Sequence, residues 1–87
     1  MTQPIHVRVR YFASLREALG PGDSLALAAE TSVASVRDQL IARGGAHAAA
    51  LARGRALRCA LDQVLCDESQ TTKDGSELAF FPPVTGG

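Results

Sequence analysis

Cysteine is scarce in this chain: Cys59 and Cys66 are the only two among 87 residues. Two are too few to staple a small domain with disulfides, and their spacing is not the C-x-x-C of a redox or zinc motif. Both read as small apolar packing residues held as reduced thiols. Histidine is equally sparse. His6 and His47 have no partners at metal-ligand spacing, so both are expected on the surface, and no metal site is expected. Neither sign of charge is in excess, since nine basic residues meet nine acidic ones, which argues against a nucleic-acid or anionic-membrane partner. No apolar run approaches the ~18–20 residues of a membrane span. The opening stretch, Thr2 to Pro4, is polar and leads into apolar positions interrupted by charge, unlike a secretory leader. A cytoplasmic location is the expectation. No Ser-His-Asp set, phosphate-cradling glycine loop or carboxylate pair is legible, so the chain is not expected to be an enzyme on its own.

What is present suits one small globular domain. Hydrophobic residues make up 46% and charged residues 21%, a composition that buries a core rather than one that stays disordered. The neutral total hides an asymmetry. Up to Arg58 the chain carries eight Arg against Glu17, Asp23, Glu30 and Asp38; beyond it, Lys73 stands alone against Asp62, Asp67, Glu68, Asp74 and Glu77. This is either a molecular dipole or two solvated faces.

Ile5-His6-Val7-Arg8-Val9-Arg10-Tyr11 alternates apolar and polar and predicts a strand with Ile5, Val7, Val9 and Tyr11 inward. Phe12 then falls on the outward side. Residues 13–19 predict a short helix with Ser14 near its start, ended by Gly20-Pro21-Gly22. Residues 24–28 predict a second strand with Leu25 and Leu27 on one face. Thr31 or Ser32 can cap the main helix, in which Val33, Val36, Leu40 and Ile41 form one stripe. Gly44-Gly45 ends it, and the alanine-rich residues 46–52 predict one further turn. Residues 57–61 and 64–66 predict two strand arms around an Asp62-Gln63 turn, and residues 67–75 a polar loop. Residues 77–81 are the last strand, with Leu78 and Phe80 inward and Phe81 outward, closed by Pro82, which cannot donate a ladder hydrogen bond. Leu65 faces opposite to Val64 and Cys66. An outward Phe81 and Phe12, with Leu65, suggest either ordinary packing or a partner-binding patch.

The sequence finishes Pro82-Pro83-Val84-Thr85-Gly86-Gly87. A Gly-Gly ending leaves the terminal carboxylate on a thread with no side chains and with either sign of φ open to it. It is also what an idle, frayed terminus looks like. Six residues from Pro82 can reach about 20 Å when extended, and the two prolines favour a straight exit.

The whole chain resembles the small, sulfur-carrying subunits of molybdopterin synthase. The resemblance is carried by Val9-Arg10-Tyr11-Phe12-Ala13 with Leu15-Arg16-Glu17, by Thr31-Ser32-Val33, by residues 74–81 and above all by Phe80-Phe81-Pro82-Pro83-Val84-Thr85-Gly86-Gly87. It implies an α+β, ubiquitin-like β-grasp fold over residues 1–81. A small mixed sheet carries one main helix across one face, the last strand lies parallel to the first, and residues 82–87 form an extended tail.

It further implies that Gly87, next to Gly86, is adenylated by a ubiquitin-activating-like adenylyltransferase spending ATP. A sulfur donor would then convert it to a thiocarboxylate. The tail would enter the large synthase subunit and give sulfur to cyclic pyranopterin monophosphate. Phe12, Leu65, Phe81, Pro82, Pro83, Val84 and Thr85 are the partner-binding residues the resemblance implies, in an assembly of two small and two large subunits. No bound cofactor is implied. Related carriers for thiamine thiazole, cysteine or tRNA thiolation, and a protein modifier joined through Gly87, remain alternatives.

Overall fold

The structure is a computed structural model that describes residues 3–83. Eight elements follow in the order β1 (Ile5–Tyr11), α1 (Ser14–Leu19), β2 (Gly22–Leu27), α2 (Val33–Ile41), α3 (Gly45–Ala50), β3 (Arg58–Leu61), β4 (Val64–Cys66) and β5 (Glu77–Phe81). The strands form one five-stranded sheet in the order β2-β1-β5-β3-β4. β1 and β5 run parallel at its centre, and every other pairing is antiparallel. This is the mixed β-grasp sheet that the resemblance implies.

Period-two alternation in β1 and β5 puts Val7, Val9, Tyr11, Leu78 and Phe80 on the inner face, all essentially buried. The α2 stripe Val33, Val36 and Leu40 closes over them in one core that also takes Leu15, Leu27, Leu51 and Cys59. Each large side chain so buried contributes about 1.5–3 kcal/mol. α2 begins at Ser32, whose Oγ accepts from the Ser35 N–H at 3.1 Å. Two further first-turn donors, the N–H groups of Val33 and Ala34, reach the Gln70 and Glu68 carbonyls. The polar loop before β5 is thereby pinned to the helix. It is pinned again by buried Thr72, whose hydroxyl donates to the Thr31 carbonyl at 2.8 Å.

Several local expectations need correction. β2 starts at Gly22, two residues ahead of the predicted start, because the Tyr11 N–H already donates to Pro21 and Gly22 lies opposite Arg10. Only glycine permits that approach, since a Cβ at position 22 would collide with the Val9 carbonyl. Ser14 does not cap α1; it is the first helical residue, and Ala13, at φ 53°, precedes it. β3 begins at Arg58 rather than Leu57. Cys59 is buried as expected, whereas Cys66, on the edge strand, is half-buried.

His47 is half-buried and engaged rather than a free surface residue. α3 turns its ring edge-on to Tyr11, with centroids 6.3 Å apart, and its Nε2 lies 3.0 Å from Asp23 Oδ2. The Tyr11 hydroxyl donates to the same oxygen at 2.8 Å, and Arg43 donates to Oδ1 at 3.1 Å. Partial burial pushes the Asp23 carboxyl upward, but hydrogen bonds from His47 and Tyr11 and the Arg43 charge outweigh it and leave the pKa below the ordinary value. Burial, aided by the bond to Asp23, raises the Tyr11 phenol.

Candidate functional site

The outer face of the sheet is where the candidate residues converge. Cross-strand pairing builds one row from Arg10, Ala79, Ala60 and Leu65. In the neighbouring row Arg58 lies directly across from Phe81. Phe12, one residue beyond β1, is 39% exposed, and its N–H donates to the Phe80 carbonyl. That bond places it beside Phe81. Phe12, Phe81 and Pro82 share a shallow concavity of about 550 Å³ with Ala13, Ala60, Ala79, Arg10 and Gln63.

Leu65, 60% exposed, does not line this concavity. It extends the same face outward through its pairing with Ala60. Leu65 and Val64 are the two most exposed large apolar side chains among the described residues. Val64, opposite in facing, is not part of this surface; an apolar patch of the Leu65 and Phe12 kind on a small domain is one that a docking partner can cover. Phe81 itself is half-buried and lines this concavity together with Phe12 and Pro82.

Charge frames the apolar patch. The Arg10 guanidinium sits 5.5 Å from the Phe12 ring centroid, a cation–π stack that holds the ring in place. Glu77 lies 3.6 Å from Arg10 and 4.0 Å from Arg8, and Arg58 is exposed beside Phe81. The rim is therefore mostly basic around an apolar centre.

Ala13 takes its left-handed φ directly after Phe12. A non-glycine residue there stores strain, and the turn it makes swings the chain into α1 and leaves Phe12 on the outer face.

Pro82 and Pro83 leave β5 from the edge of this patch and are half-buried. Val84, Thr85, Gly86 and Gly87 lie outside the described residues. Among the described residues no group of three or more His, Cys, Asp or Glu side chains could hold a metal ion. Nor is any helix there long and apolar enough to cross a membrane.

With this geometry in view, a profile of the ThiS family matches residues 9–87. The chain belongs to the ThiS family. Two curated relatives extend along nearly its whole length. The molybdopterin synthase sulfur carrier subunit of Haemophilus influenzae is 40% identical over 82 residues, spanning 93% of this chain and 99% of the relative. The subunit of the same name from Escherichia coli is 37% identical over 81 residues, with the same coverage.

Solved structures agree in fold. SAMP1 from Haloferax volcanii superposes on this ThiS-family chain with a TM-score of 0.76 at 25% identity, covering 94% of this chain and 99% of that one. A chain from the protein–protein complex of subunits 1 and 2 of the molybdopterin-converting factor of Helicobacter pylori gives 0.62 at 25% identity, covering 95% and 100%.

Ala60 and Gln63 were not read from the sequence as part of the patch, because a small residue and a turn residue carry no apolar signal of their own. Arg10 was legible in principle. It precedes Phe12 by two on one strand, and such residues share a face.

Proposed function

We propose that this chain is the sulfur-carrying subunit of a molybdopterin synthase and acts in molybdenum cofactor biosynthesis as a non-catalytic co-substrate. The observation that carries the reading is the near full-length identity with two molybdopterin synthase sulfur carrier subunits. The outer-face patch, from whose edge Pro82 and Pro83 lead toward Gly87, supports it. The body, residues 1–81, docks through Phe12, Phe81 and Leu65, while residues 82–87 deliver the reactive end into the large subunit. Two small and two large subunits make up the assembly. The complex of subunits 1 and 2 to which one neighbour belongs supports a large-subunit partner of this kind.

The chemistry falls on the Gly87 carbonyl. A carboxylate is a poor electrophile, so one of its oxygens first attacks the α-phosphorus of ATP on a separate activating enzyme, and pyrophosphate leaves. Hydrosulfide supplied by a sulfur donor then attacks the acyl-adenylate carbon and AMP departs, leaving a thiocarboxylate. Water must be kept from the adenylate meanwhile, which a thread without side chains at positions 86 and 87 allows by entering a narrow pocket. In the large subunit the terminal sulfur attacks a side-chain carbon of cyclic pyranopterin monophosphate as a carbon–oxygen bond there breaks, the oxygen leaving as water or staying on the phosphate. Hydrolysis of the resulting thioester at the Gly87 carbonyl returns a carboxylate. Two rounds supply the two sulfurs of the dithiolene. No cofactor need reside on the carrier, and ATP is consumed by the activating enzyme.

The likeness to SAMP1, a small archaeal modifier protein by the name of its twin structure, favours a second reading as a protein modifier joined to lysine through Gly87. Intact mass separates the two. Incubated with activating enzyme, ATP and sulfide donor, the carrier gains the mass difference of one sulfur for one oxygen and then sulfurates the pterin with the large subunit. A ligated, isopeptide-linked product without pterin sulfuration would replace the first reading with the second. Gly87→Ala is expected to fold normally yet lose charging or transfer.

A further inference from the structure

The β3–β4 hairpin holds a feature that the carrier reading does not use. Cys59 and Cys66 are direct cross-strand partners, and their sulfurs are 3.6 Å apart. Residues so paired have Cα atoms about 4.5–5.5 Å apart, inside the range of about 4.4–6.8 Å that a disulfide spans. Side-chain rotation alone therefore closes the gap. Both cysteines also line a common surface concavity with Leu57, Arg58, Asp67 and Glu68.

We propose that Cys59 and Cys66 form a redox modification site, a dithiol that a small disulfide of the glutathione class oxidises to a cross-strand bond fastening β4 to β3. The two thiols have unequal parts. Cys59 is 4% exposed, its Sγ donates to the Cys66 carbonyl at 3.2 Å, and burial together with the bond to Cys66 pushes it up to about 12. It is not the sulfur that meets an oxidant. Cys66, half-buried on the edge strand, is.

Cys66 loses its proton to water, and its thiolate attacks one sulfur of the small disulfide. That S–S bond breaks, and one small thiolate leaves and takes up a proton. Cys59 then gives its proton to water and attacks the Cys66 sulfur of the mixed disulfide. The Cys59–Cys66 bond forms as the second small thiolate leaves and is protonated. Two protein thiols have lost two electrons, and one disulfide has become two thiols. Held at contact distance, Cys59 needs little thiolate to complete the second step, because the reaction is intramolecular.

The consequence lies in β4. It is a three-residue edge strand, held by its pairing with β3 alone and carrying exposed Leu65. A covalent bond beside Leu65 fixes its register. The inference needs only the hairpin and stands whether or not the chain carries sulfur.

The test equilibrates the full-length protein in buffers of increasing oxidised-to-reduced glutathione ratio, quenches with an alkylating agent and reads intact mass. The expected end state is a monomer lighter by two hydrogens, with neither cysteine alkylated and a 59–66 linked peptide after digestion. Its Tm should rise by about 5–15 °C over the reduced form. Cys59→Ser should stop at one glutathionyl group on Cys66, because the second step has lost its nucleophile. Two alkylatable thiols at the most oxidising ratio would overturn the proposal, as would a doubly glutathionylated chain or a disulfide-linked dimer.

Discussion

Arg37, in the middle of α2, donates from Nη1 to a Glu68 carboxylate oxygen at 2.7 Å while its side chain is only 4% exposed. Its Nε and Nη2 donate to the carbonyls of Leu51, Ala52 and Arg55 at 2.6–3.0 Å. Arg53 joins from outside, binding Asp38, Glu68 and the Ala34 carbonyl. One fork of guanidinium donors thus fixes the chain between α3 and β3. Arg37→Ala leaves several carbonyls and a partly buried carboxylate short of donors and should lower stability by about 2–4 kcal/mol. Arg37→Lys should recover little of this, because an ammonium cannot present the same planar fork. Urea denaturation of the three proteins measures both losses.

The carboxylates in these clusters set the acid limit. Burial pushes Glu68 upward, but the bonds from Arg53 and Arg37 outweigh it, so its pKa, like that of Asp23, is lower in the folded chain than in the unfolded one. Groups depressed in this way contribute their full stability above the unfolded value, and the contribution disappears as pH falls through the folded value. Stability should therefore be level down to about pH 5 and decline below about pH 4. Asp23→Asn should be less stable at neutral pH and show a shallower acid decline. At the alkaline end the sign reverses. Tyr11 and Cys59 are raised, so the unfolded chain ionises first and stability should fall above about pH 9. Denaturant midpoints across pH check both arms.

Much of this was legible in the chain. Alternation gave the inward set Val7, Val9, Tyr11, Leu78 and Phe80 and turned Phe12 and Phe81 outward, because period two leaves no choice once one side is buried. For Leu65 it gave only a facing opposite to Val64 and Cys66, since both sides of that short edge strand carry exposed residues. The strand order came from the resemblance, since periodicity says which face a strand buries but not which strand lies beside it. Arg37 was missed although its position was visible. It stands at i+4 from Val33, inside the stripe, and its charge masked the spacing. His47 was missed because alanine on nearly every side gives α3 no periodicity to read. Gly86 and Gly87, on which the proposed chemistry rests, lie outside the described residues.

The turn between β3 and β4 offers a stabilising change. Asp62 and Gln63 both take left-handed conformations, at φ 50° and 69°, as a two-residue hairpin with a primed turn demands. Asp62 is suited to its place, for its Oδ1 accepts from the Glu77 N–H at 2.9 Å. Gln63 has no such compensation among the described residues. Gln63→Gly should raise stability by about 0.5–1 kcal/mol, moving the urea midpoint without changing the m-value. Asp62→Gly should lower it, having lost the bond to Glu77.

Neighbouring phenylalanines provide the sharpest test of the proposed docking face. Phe80 is fully buried against the α2 stripe, while Phe81, one residue later, points to the outer face beside Phe12. Phe80→Asp puts an unpaired charge in the core and should unfold the domain. Phe81→Asp should leave the fold intact, with Tm within a few degrees of the parent, yet weaken binding to the large subunit by about ten- to a hundredfold, the 1–3 kcal/mol of an interface anchor. Leu65→Asp should weaken it less, since Leu65 extends the face without lining its concavity. Circular dichroism melts and binding titrations against the large subunit decide the matter. If Phe81→Asp melts as Phe80→Asp does, Phe81 belongs to the core; if it folds and binds unchanged, the partner sits elsewhere.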